Sequence, residues 1–325
     1  MNLIRQSFFV AKGLQEFTKS GFEKAAKGFV AADLENVKAH GRNYMVTGSN
    51  TGIGKVVATE LAKAGGTVHL VCRNPERGEA ALNEIKEESK NNSVFLHVVD
   101  LAKPREVYKF ACDFAAKGEG LDVLVNNAGC IIPKRTIDDL GFETNFATNT
   151  LAVHLLTKTF MPLLEESKDA RVVTVSSAGM LTQKLDADDA QSEKANFFTS
   201  AYTPPAQQKR QQVVMSEMYA SRHPLVHFST MHPGWADTTG VKEAMPAFYR
   251  AMKSTLRSPV QGADTVVWLA LSPAAKLVKS GQFFQDRQPV ATHLPLCCTQ
   301  ESESDRKRFM KVLDEMLDQV KNSLA

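Results

Sequence analysis

The chain has 325 residues, of which 43% are hydrophobic, and its 39 basic and 36 acidic residues leave a net charge of +3. This balance, without a Lys/Arg-rich block, argues against a nucleic-acid partner, and the length suits one α/β domain with extensions. The five irregularly spaced cysteines indicate reduced thiols in a reducing compartment rather than a disulfide framework, and no metal site is expected.

The first 40 residues predict a helical extension. Apolar residues recur there at near-helical spacing, with basic residues between them: Leu3, Ile4, Phe8, Leu14 and Phe17. No apolar run of the chain reaches the ~18–20 residues of a membrane span, and the charges exclude the apolar core of a signal peptide. We interpret the extension as a helix docked on its own domain, with an interfacial membrane anchor as the alternative. The expected location is cytoplasmic, or peripheral on an intracellular membrane.

From about residue 43, short β-branched runs alternate with helical segments. Strands are predicted at 44–46, 68–71, 94–99, 123–125, 172–175, 227–231 and 282–284. Helices are predicted at 55–64, 75–89, 104–116, 144–166 and 207–220, and an amphipathic helix is predicted in the tail from Phe309 to Val320. The alternation predicts an α/β fold with a single doubly wound parallel sheet of the Rossmann type, helices on both faces and right-handed crossovers.

The first predicted strand runs into a glycine-rich turn, TGSNTGIG at residues 47–54, and then into a helix. Glycines at this spacing permit a tight turn and a close backbone approach to a pyrophosphate, which the N–H groups of the helix would bind. The second strand ends at Arg73 without an acidic residue. The forked guanidinium of Arg73 suits the 2′-phosphate of NADP(H). The alternative interpretation of Arg73 is a solvated surface residue without a ligand.

Further motifs, in the order of a known family, extend from about residue 41 to 286. They are Asp100-Leu101, Asn126-Asn127-Ala128-Gly129, Thr148-Asn149-Thr150-Leu151, Ser176-Ser177 and the stretch HPGWADT at residues 232–238. With the glycine-rich turn, they resemble the short-chain dehydrogenase/reductase family, and Cys72-Arg73 resembles its retinol-dehydrogenase-like branch. The resemblance implies NADP(H) contacts at Thr47, Gly48, Asn50, Gly52, Ile53, Gly54, Arg73, Asp100, Leu101, Asn127, Ala128, Gly129, Lys209, Pro233, Gly234 and Thr238. In this set Asp100 would reach the adenine amino group and Thr238 the nicotinamide carboxamide.

The resemblance also implies a reacting centre of four side chains. A serine polarises the substrate carbonyl, a tyrosine protonates the nascent alkoxide with the help of a lysine four residues later, and an asparagine supports a water chain to that lysine. Ser177 (or its neighbour Ser176), Lys209 and Asn149 occupy three of these places. The fourth, residue 205, is a proline, which carries no transferable proton.

Tyr202 is the remaining candidate for the proton donor. It lies seven residues before Lys209, and we expect it in the loop before the helix, because Pro204 and Pro205 disfavour helical geometry at residues 203 and 204. The long loop 183–205, with acidic residues at 186, 188 and 189, is predicted to be a substrate lid.

These expectations divide the chain into an N-terminal helical extension (1–40), a dinucleotide-binding catalytic domain (41–290) and a C-terminal tail (291–325). The predicted function is NADP(H)-dependent hydride transfer to or from a carbonyl or alcohol substrate of lipophilic character. The alternative is an NADPH-binding protein with little or no turnover, because Pro205 stands where the tyrosine is expected. A membrane-associated or purely structural role ranks behind both. The resemblance further implies a homodimer through long helices.

Overall fold

The fold is built on one eight-stranded sheet with the order β3-β2-β1-β4-β5-β6-β7-β8. The computed structural model describes residues 2–35, 37–194 and 203–324. The strands are β1 (Asn43–Thr47), β2 (Thr67–Cys72), β3 (Val94–Val98), β4 (Val123–Asn126), β5 (Arg171–Val175), β6 (His227–His232), β7 (Gln282–Gln285) and β8 (Gln288–Pro289). All pairs are parallel except β7 with β8. The predicted fold class and all seven predicted strands are confirmed.

Helices cover both faces of this sheet. They are α1 (Asn2–Lys12), α2 (Lys19–Ala26), α3 (Gly52–Lys63), α4 (Pro75–Ser89), α5 (Pro104–Ala116), α6 (Thr144–Phe146), α7 (Ala152–Glu166), α8 (Thr203–Arg222), α9 (Thr239–Ala244), α10 (Pro246–Met252), α11 (Pro259–Leu271) and α12 (Glu303–Asn322). A π-helical turn, Ala147–Leu151, joins α6 to α7. In the part of the chain that is described, no helix is long and apolar enough to cross a membrane.

Alternate strand residues supply two separate cores. Met45 and Leu124 pack on the face that carries α5, α7 and α12. Their neighbours Val46 and Val125 pack on the opposite face with α3 and α11. This alternation follows from the two-residue period of a strand, and it explains why the central strands β1 and β4 carry apolar residues on both faces.

The strand order places a crevice at the carboxyl ends of β1 and β4. The chain leaves β1 towards β2 and β3, and later returns to the other side of β1 with β4, β5 and β6. At such a reversal the loops after the two central strands diverge, and ligands of doubly wound sheets bind between them.

The start of α8 differs from the prediction. The helix begins at Thr203, so Pro204 and Pro205 are its second and third residues rather than part of the preceding loop. Both are buried. Proline is tolerated there because the first-turn N–H groups have no partner within the helix in any case. The predicted disfavour of helical geometry at residues 203 and 204 was therefore wrong.

The two terminal segments pack on the sheet domain. Phe309, Leu313, Leu317 and Val320 of α12 are buried in the core that also holds α5 and α7. The sequence left open whether this helix lies on its own domain or on a partner, and the structure places it on its own domain. The division into three parts at residues 40 and 290 stays a prediction.

Candidate active site

The glycine-rich turn joins β1 to α3 at the crevice. Gly48 and Gly52 have φ angles of +64° and +56°, in the left-handed region that glycine adopts without strain. A Cβ on Gly54 would lie 2.4 Å from the Gly48 carbonyl oxygen, so the turn closes only around a glycine. Thr51, the N-cap residue of α3, makes no side-chain cap. The first N–H groups of α3 therefore remain available to an anion such as a phosphate.

Thr47 and Asn127 brace this turn from within. The Thr47 hydroxyl accepts hydrogen bonds from the backbone N–H groups of Asn127 and Ala128, both at 3.0 Å. Asn127 Nδ2 donates to the carbonyls of Thr47 (2.8 Å) and Gly48 (3.2 Å). These side-chain atoms thus hold the loops after β1 and β4 together. Their assignment as cofactor contacts remains a prediction.

The two other residues predicted in the turn differ in exposure. Asn50 is partly exposed, whereas Ile53 is only 9% exposed. The Ile53 side chain lies against Gly262 of α11, where an added Cβ would come within 3.1 Å of it. Asn50 is therefore the one with a side chain open to a ligand, and Ile53 fixes α3 on α11.

Arg73 follows β2, the strand that pairs with β1. Its side chain is exposed, and among the described residues it has no hydrogen-bond or ion-pair partner. At the tip of β3, the Asp100 carboxylate accepts a hydrogen bond from Ala102 N at 3.0 Å. Leu101 is 8% exposed and belongs to the core. Arg73 and Asp100 therefore offer polar side chains at the strand tips, and Leu101 does not.

Asn149 and Lys209 converge on Gly129. A Cβ on Gly129 would lie 3.2 Å from Asn149 Oδ1 and 3.5 Å from Lys209 Nζ. Gly129 itself is exposed, so a side chain there would fill the space next to both polar groups. Lys209 Nζ donates to the Val175 carbonyl at 2.8 Å, which fixes the ammonium at the end of β5. The structure thus brings Lys209 next to Asn149 and Gly129, which precede it by 60 and 80 positions in the sequence.

Burial changes the proton affinity of Lys209. The loss of hydration lowers the pKa of its ammonium from 10.5 to about 8, because burial disfavours the charged form. Arg210 beside it is fully buried and donates to the carbonyls of Met180 and Thr292 at 3.1 and 2.6 Å. Arg210 therefore faces the protein interior, whereas Lys209 is partly exposed beside Gly129.

The structure distinguishes the two adjacent serines. Ser176 is buried, and its hydroxyl donates to the Lys209 carbonyl at 2.9 Å, so it fixes α8 to the end of β5. Ser177 is partly exposed, and its Oγ accepts a hydrogen bond from Gly179 N at 3.2 Å. Only the Ser177 hydroxyl remains open to a substrate. The assignment of this role to Ser177 rather than to Ser176 is therefore favoured.

The place expected for the tyrosine holds buried Pro205, one helical turn before Lys209. Tyr202 lies outside the described residues. Cys130, which follows Gly129, has a thiol whose pKa burial raises, so it offers no thiolate near neutral pH. The described part of the site thus contains a serine and a lysine but no phenol.

A set of glutamines that hold Asn149 was not predicted from the sequence. The π-helical turn that carries Asn149 breaks the regular helical ladder, and π-turns of this kind are frequent at functional sites. Gln212 Nε2 donates to the Asn149 carbonyl at 2.6 Å, and Asn149 Nδ2 donates to Gln208 Oε1 at 2.7 Å. Thr150 Oγ1 donates to Gln211 Oε1 at 2.7 Å. The repeated glutamines around Lys209, in the sequence QQKRQQ, were the available signal.

The loop after β6 closes the other end of the crevice. Gly234 has a φ of +75°, and the Pro233 carbonyl accepts a hydrogen bond from Arg257 Nη1 at 3.4 Å. Thr238 caps α9 by accepting from Val241 N at 3.3 Å. A Cβ on Gly52 would lie 3.4 Å from the Thr238 methyl group. The loop 233–238 therefore lies against the glycine-rich turn, as one cofactor spanning both would require.

Within the predicted lid 183–205, the structure describes residues 183–194 and residues 203–205, and the latter belong to α8. Several contacts attach the first half of the lid to the domain. The Ala190 carbonyl accepts from Gln211 Nε2 at 2.8 Å, Gln191 Oε1 accepts from Glu143 N at 2.8 Å, and Asp188 forms an ion pair with Arg308 of α12 at 2.9 Å. Among the residues described, no group of three or more His, Cys, Asp or Glu side chains is placed to hold a metal ion.

Fold and site together define a dinucleotide-binding α/β domain with polar side chains at its crevice. The family model for "short chain dehydrogenase" matches residues 42–185. Dehydrogenase/reductase SDR family member 12 of Bos taurus is 54% identical over 97% of this chain and 98% of its own. Its Homo sapiens counterpart is 52% identical over the same shares. Retinol dehydrogenase 12 of Mus musculus is 33% identical over 77% of this chain and 79% of its own. The chain belongs to the short-chain dehydrogenase/reductase family, which confirms the predicted resemblance.

Solved structures show the same fold. A short-chain dehydrogenase of Escherichia coli CFT073, complexed with NADPH, has a TM-score of 0.61 and 22% identity, and covers 78% of this chain and 100% of its own. Salutaridine reductase of Papaver somniferum has a TM-score of 0.58 and 23% identity, and covers 75% of this chain and 99% of its own. Both extend over about three quarters of the chain, whereas the Bos taurus relative also matches most of the two terminal extensions.

Proposed function

We propose that the protein is an NADP(H)-dependent oxidoreductase that acts on a carbonyl or alcohol substrate of lipophilic character. The observation that carries the proposal is the convergence of Asn149 and Lys209 on exposed Gly129, at the crevice that also receives the glycine-rich turn. A family of dehydrogenases and reductases supplies the context.

The residues present fit a phosphorylated dinucleotide. The uncapped start of α3 would hold the pyrophosphate. The guanidinium of Arg73, which has no hydrogen-bond or ion-pair partner within the described ranges, would hold a 2′-phosphate through paired, charge-assisted hydrogen bonds. Gly129 leaves room beside Lys209 for the nicotinamide half. The preference for NADP(H) over NAD(H) therefore rests on Arg73 and on the lack of an acidic residue after β2.

When bound, the nicotinamide supplies or accepts the hydride. The side chains of the protein then orient the substrate and manage one proton. Ser177 Oγ would donate a hydrogen bond to the substrate oxygen, Tyr202 would supply the proton, and the Lys209 ammonium would stabilise the negative charge that develops on that oxygen. Ile131 and Ile132, both partly exposed beyond Gly129, would present an apolar surface to the substrate.

Pro205 favours a second candidate function, which is NADPH binding with little or no turnover. A missing general acid commonly costs about 10² to 10⁴ in rate. Under the first proposal Tyr202 supplies the proton, so Tyr202→Phe abolishes NADPH oxidation and leaves NADPH affinity unchanged. Under the second, wild-type turnover is close to background with any carbonyl, and Pro205→Tyr creates it. Robust wild-type turnover would exclude the second candidate.

The binding test is a fluorescence titration of the purified protein with NADPH and, separately, with NADH. Loss of a charge-assisted pair predicts that Arg73→Ala weakens NADPH binding about 10- to 100-fold and leaves NADH binding unchanged. Arg77→Ala is the matched control, because Arg77 is also exposed and lies nearby in the first turn of α4. Equal affinity of the wild-type chain for both cofactors would contradict the assignment of Arg73.

The proposal extends to assembly and location. Phe8, Val10 and Leu14 of the N-terminal segment are 45%, 47% and 54% exposed, which supports peripheral contact with an intracellular membrane as the alternative to a cytoplasmic location. Flotation with liposomes tests that contact. The homodimer rests on the family resemblance, and a single monomeric species in sedimentation equilibrium at all protein concentrations would refute it.

A further inference from the structure

The N-terminal segment lies directly on the loop that follows β6. Phe17 is fully buried, and its ring meets the rings of His232 and Trp235 edge-on, with centroids 4.5 and 5.7 Å apart. The backbone N–H of Trp235 donates to the Phe17 carbonyl at 2.8 Å. The loop 233–238 is therefore bonded to a segment more than 200 residues earlier in the chain.

Arg257 connects the N-terminal segment and the loop 233–238 through hydrogen bonds of its side chain. Its guanidinium pairs with Asp286 at 2.6 and 2.9 Å, and it is 1% exposed. The remaining donors reach the carbonyls of Glu16 (2.7 Å) and Thr18 (3.3 Å) in the N-terminal segment and that of Pro233 in the loop (3.4 Å). This buried arginine therefore holds three segments of the chain together: the N-terminal segment, the loop after β6 and the turn at Asp286. Any displacement of one segment would leave guanidinium donors without a partner.

Gly13 sets how closely the N-terminal segment approaches Trp235. A Cβ at Gly13 would lie 2.3 Å from the indole ring. The indole has little freedom to retreat, because Phe17 and Phe248 pack edge-on against it with centroids 5.7 and 5.2 Å away. Gly13 is thus a contact point between the N-terminal segment and the loop.

The preceding helix reaches the other border of the site. Arg5 of α1 donates to the Cys297 carbonyl at 2.7 Å and to the Thr182 carbonyl at 3.5 Å. Thr182 ends the short helix Ala178–Thr182 that begins directly after Ser177. The N-terminal segment therefore borders both the loop after β5 and the loop after β6.

We infer that residues 13–18 are a positioning element for the nicotinamide end of the cofactor cleft. By fixing Trp235 and the backbone of 233–238, they keep Thr238 in place against the glycine-rich turn before the cofactor arrives. A preordered loop binds more tightly because it loses less conformational freedom on binding. The inference rests on the proposed NADP(H) binding and gives the N-terminal segment a role in it that neither an anchor nor a simple docked helix would have.

The test uses the full chain with two ligands that share one half. NADPH contains the nicotinamide, whereas adenosine 2′,5′-bisphosphate contains only the adenosine with its 2′- and 5′-phosphates and lacks the nicotinamide half. Gly13→Ala should weaken NADPH binding about tenfold, because the added methyl group forces the N-terminal segment and the loop that carries Trp235 apart, and it should leave the affinity for adenosine 2′,5′-bisphosphate unchanged. Gly28→Ala is the matched control in the same segment, since its Cβ would meet nothing closer than 3.5 Å. It should change neither affinity.

The outcomes separate this inference from the proposed function. Unchanged NADPH affinity in a folded Gly13→Ala variant, or equal weakening of both ligands, would overturn the inference alone. Failure of the wild-type chain to bind NADPH would overturn the proposed function and the inference with it. If Gly13→Ala does not fold, Phe17→Leu replaces it, with the same contrast between the two ligands expected from the lost ring contacts with His232 and Trp235.

Discussion

Lys209 is the residue whose protonation should set the pH dependence of the reaction. Burial lowers the pKa of its ammonium to about 8. In the direction of carbonyl reduction the protonated form is needed, so the rate should fall as the pH rises through about 8. The measurement is NADPH oxidation at saturating cofactor with 4-nitrobenzaldehyde as the carbonyl probe. Arginine stays charged over this range, so Lys209→Arg should abolish the decline. A decline at the same pH in that variant would assign it to another group.

The hydrogen bond from Gln212 to Asn149 is a second feature that a single substitution can test. Gln212 Nε2 satisfies the Asn149 carbonyl at 2.6 Å, and the residue is 1% exposed. Gln212→Met should lower the free energy of unfolding by about 1–3 kcal/mol, because a buried carbonyl loses its donor. The control is Gln319→Met, since exposed Gln319 donates to the Leu140 carbonyl at 2.8 Å where water can replace it. Urea denaturation measures both, and equal losses would contradict the role of Gln212.

At the scale of elements, α12 is part of the domain core. Leu313 of α12 is fully buried against the helices of the sheet domain, whereas Lys311, two residues earlier, is exposed. Leu313→Ala should cost about 2–5 kcal/mol of unfolding free energy, the range for a buried leucine that leaves a cavity. Lys311→Ala should cost little, because it removes only a surface ion pair. A loss below about 1 kcal/mol for Leu313→Ala would mean that α12 is readily detached.

At the scale of the whole molecule, three buried or partly buried histidines should make the fold sensitive to acid. Burial lowers the pKa values of His69, His97 and His227 from 6.5 to about 4. Between pH 6.5 and pH 4 the unfolded chain therefore binds more protons than the folded chain. The contribution of these histidines to the free energy of unfolding is complete above pH 6.5 and is lost as the pH falls towards 4. Urea midpoints at several pH values measure the loss. His227→Gln should make the urea midpoint depend less steeply on pH, because it removes one of these three groups.

The sequence identified the elements whose patterns are local. Short apolar runs predicted the seven parallel strands, and TGSNTGIG between a strand and a helix predicted the turn at the crevice. The helices α9, α10 and α11 escaped prediction for physical reasons. The first two have six and seven residues, too few for a periodic pattern, and α11 is buried along most of its length, so no polar face marks it.

The sequence by itself determined the family, the fold and the absence of a tyrosine at residue 205, because these depend on residue type and local spacing. The tertiary structure decided which serine faces the crevice, that glutamines hold Asn149, and that residues 13–18 hold the loop after β6. It also decided that Pro204 and Pro205 begin α8. Arg257 contacts residues about 240 positions away in the chain, and no periodicity or motif in a sequence encodes such a contact. It arises only when packing brings distant donors and carbonyls into the same buried volume.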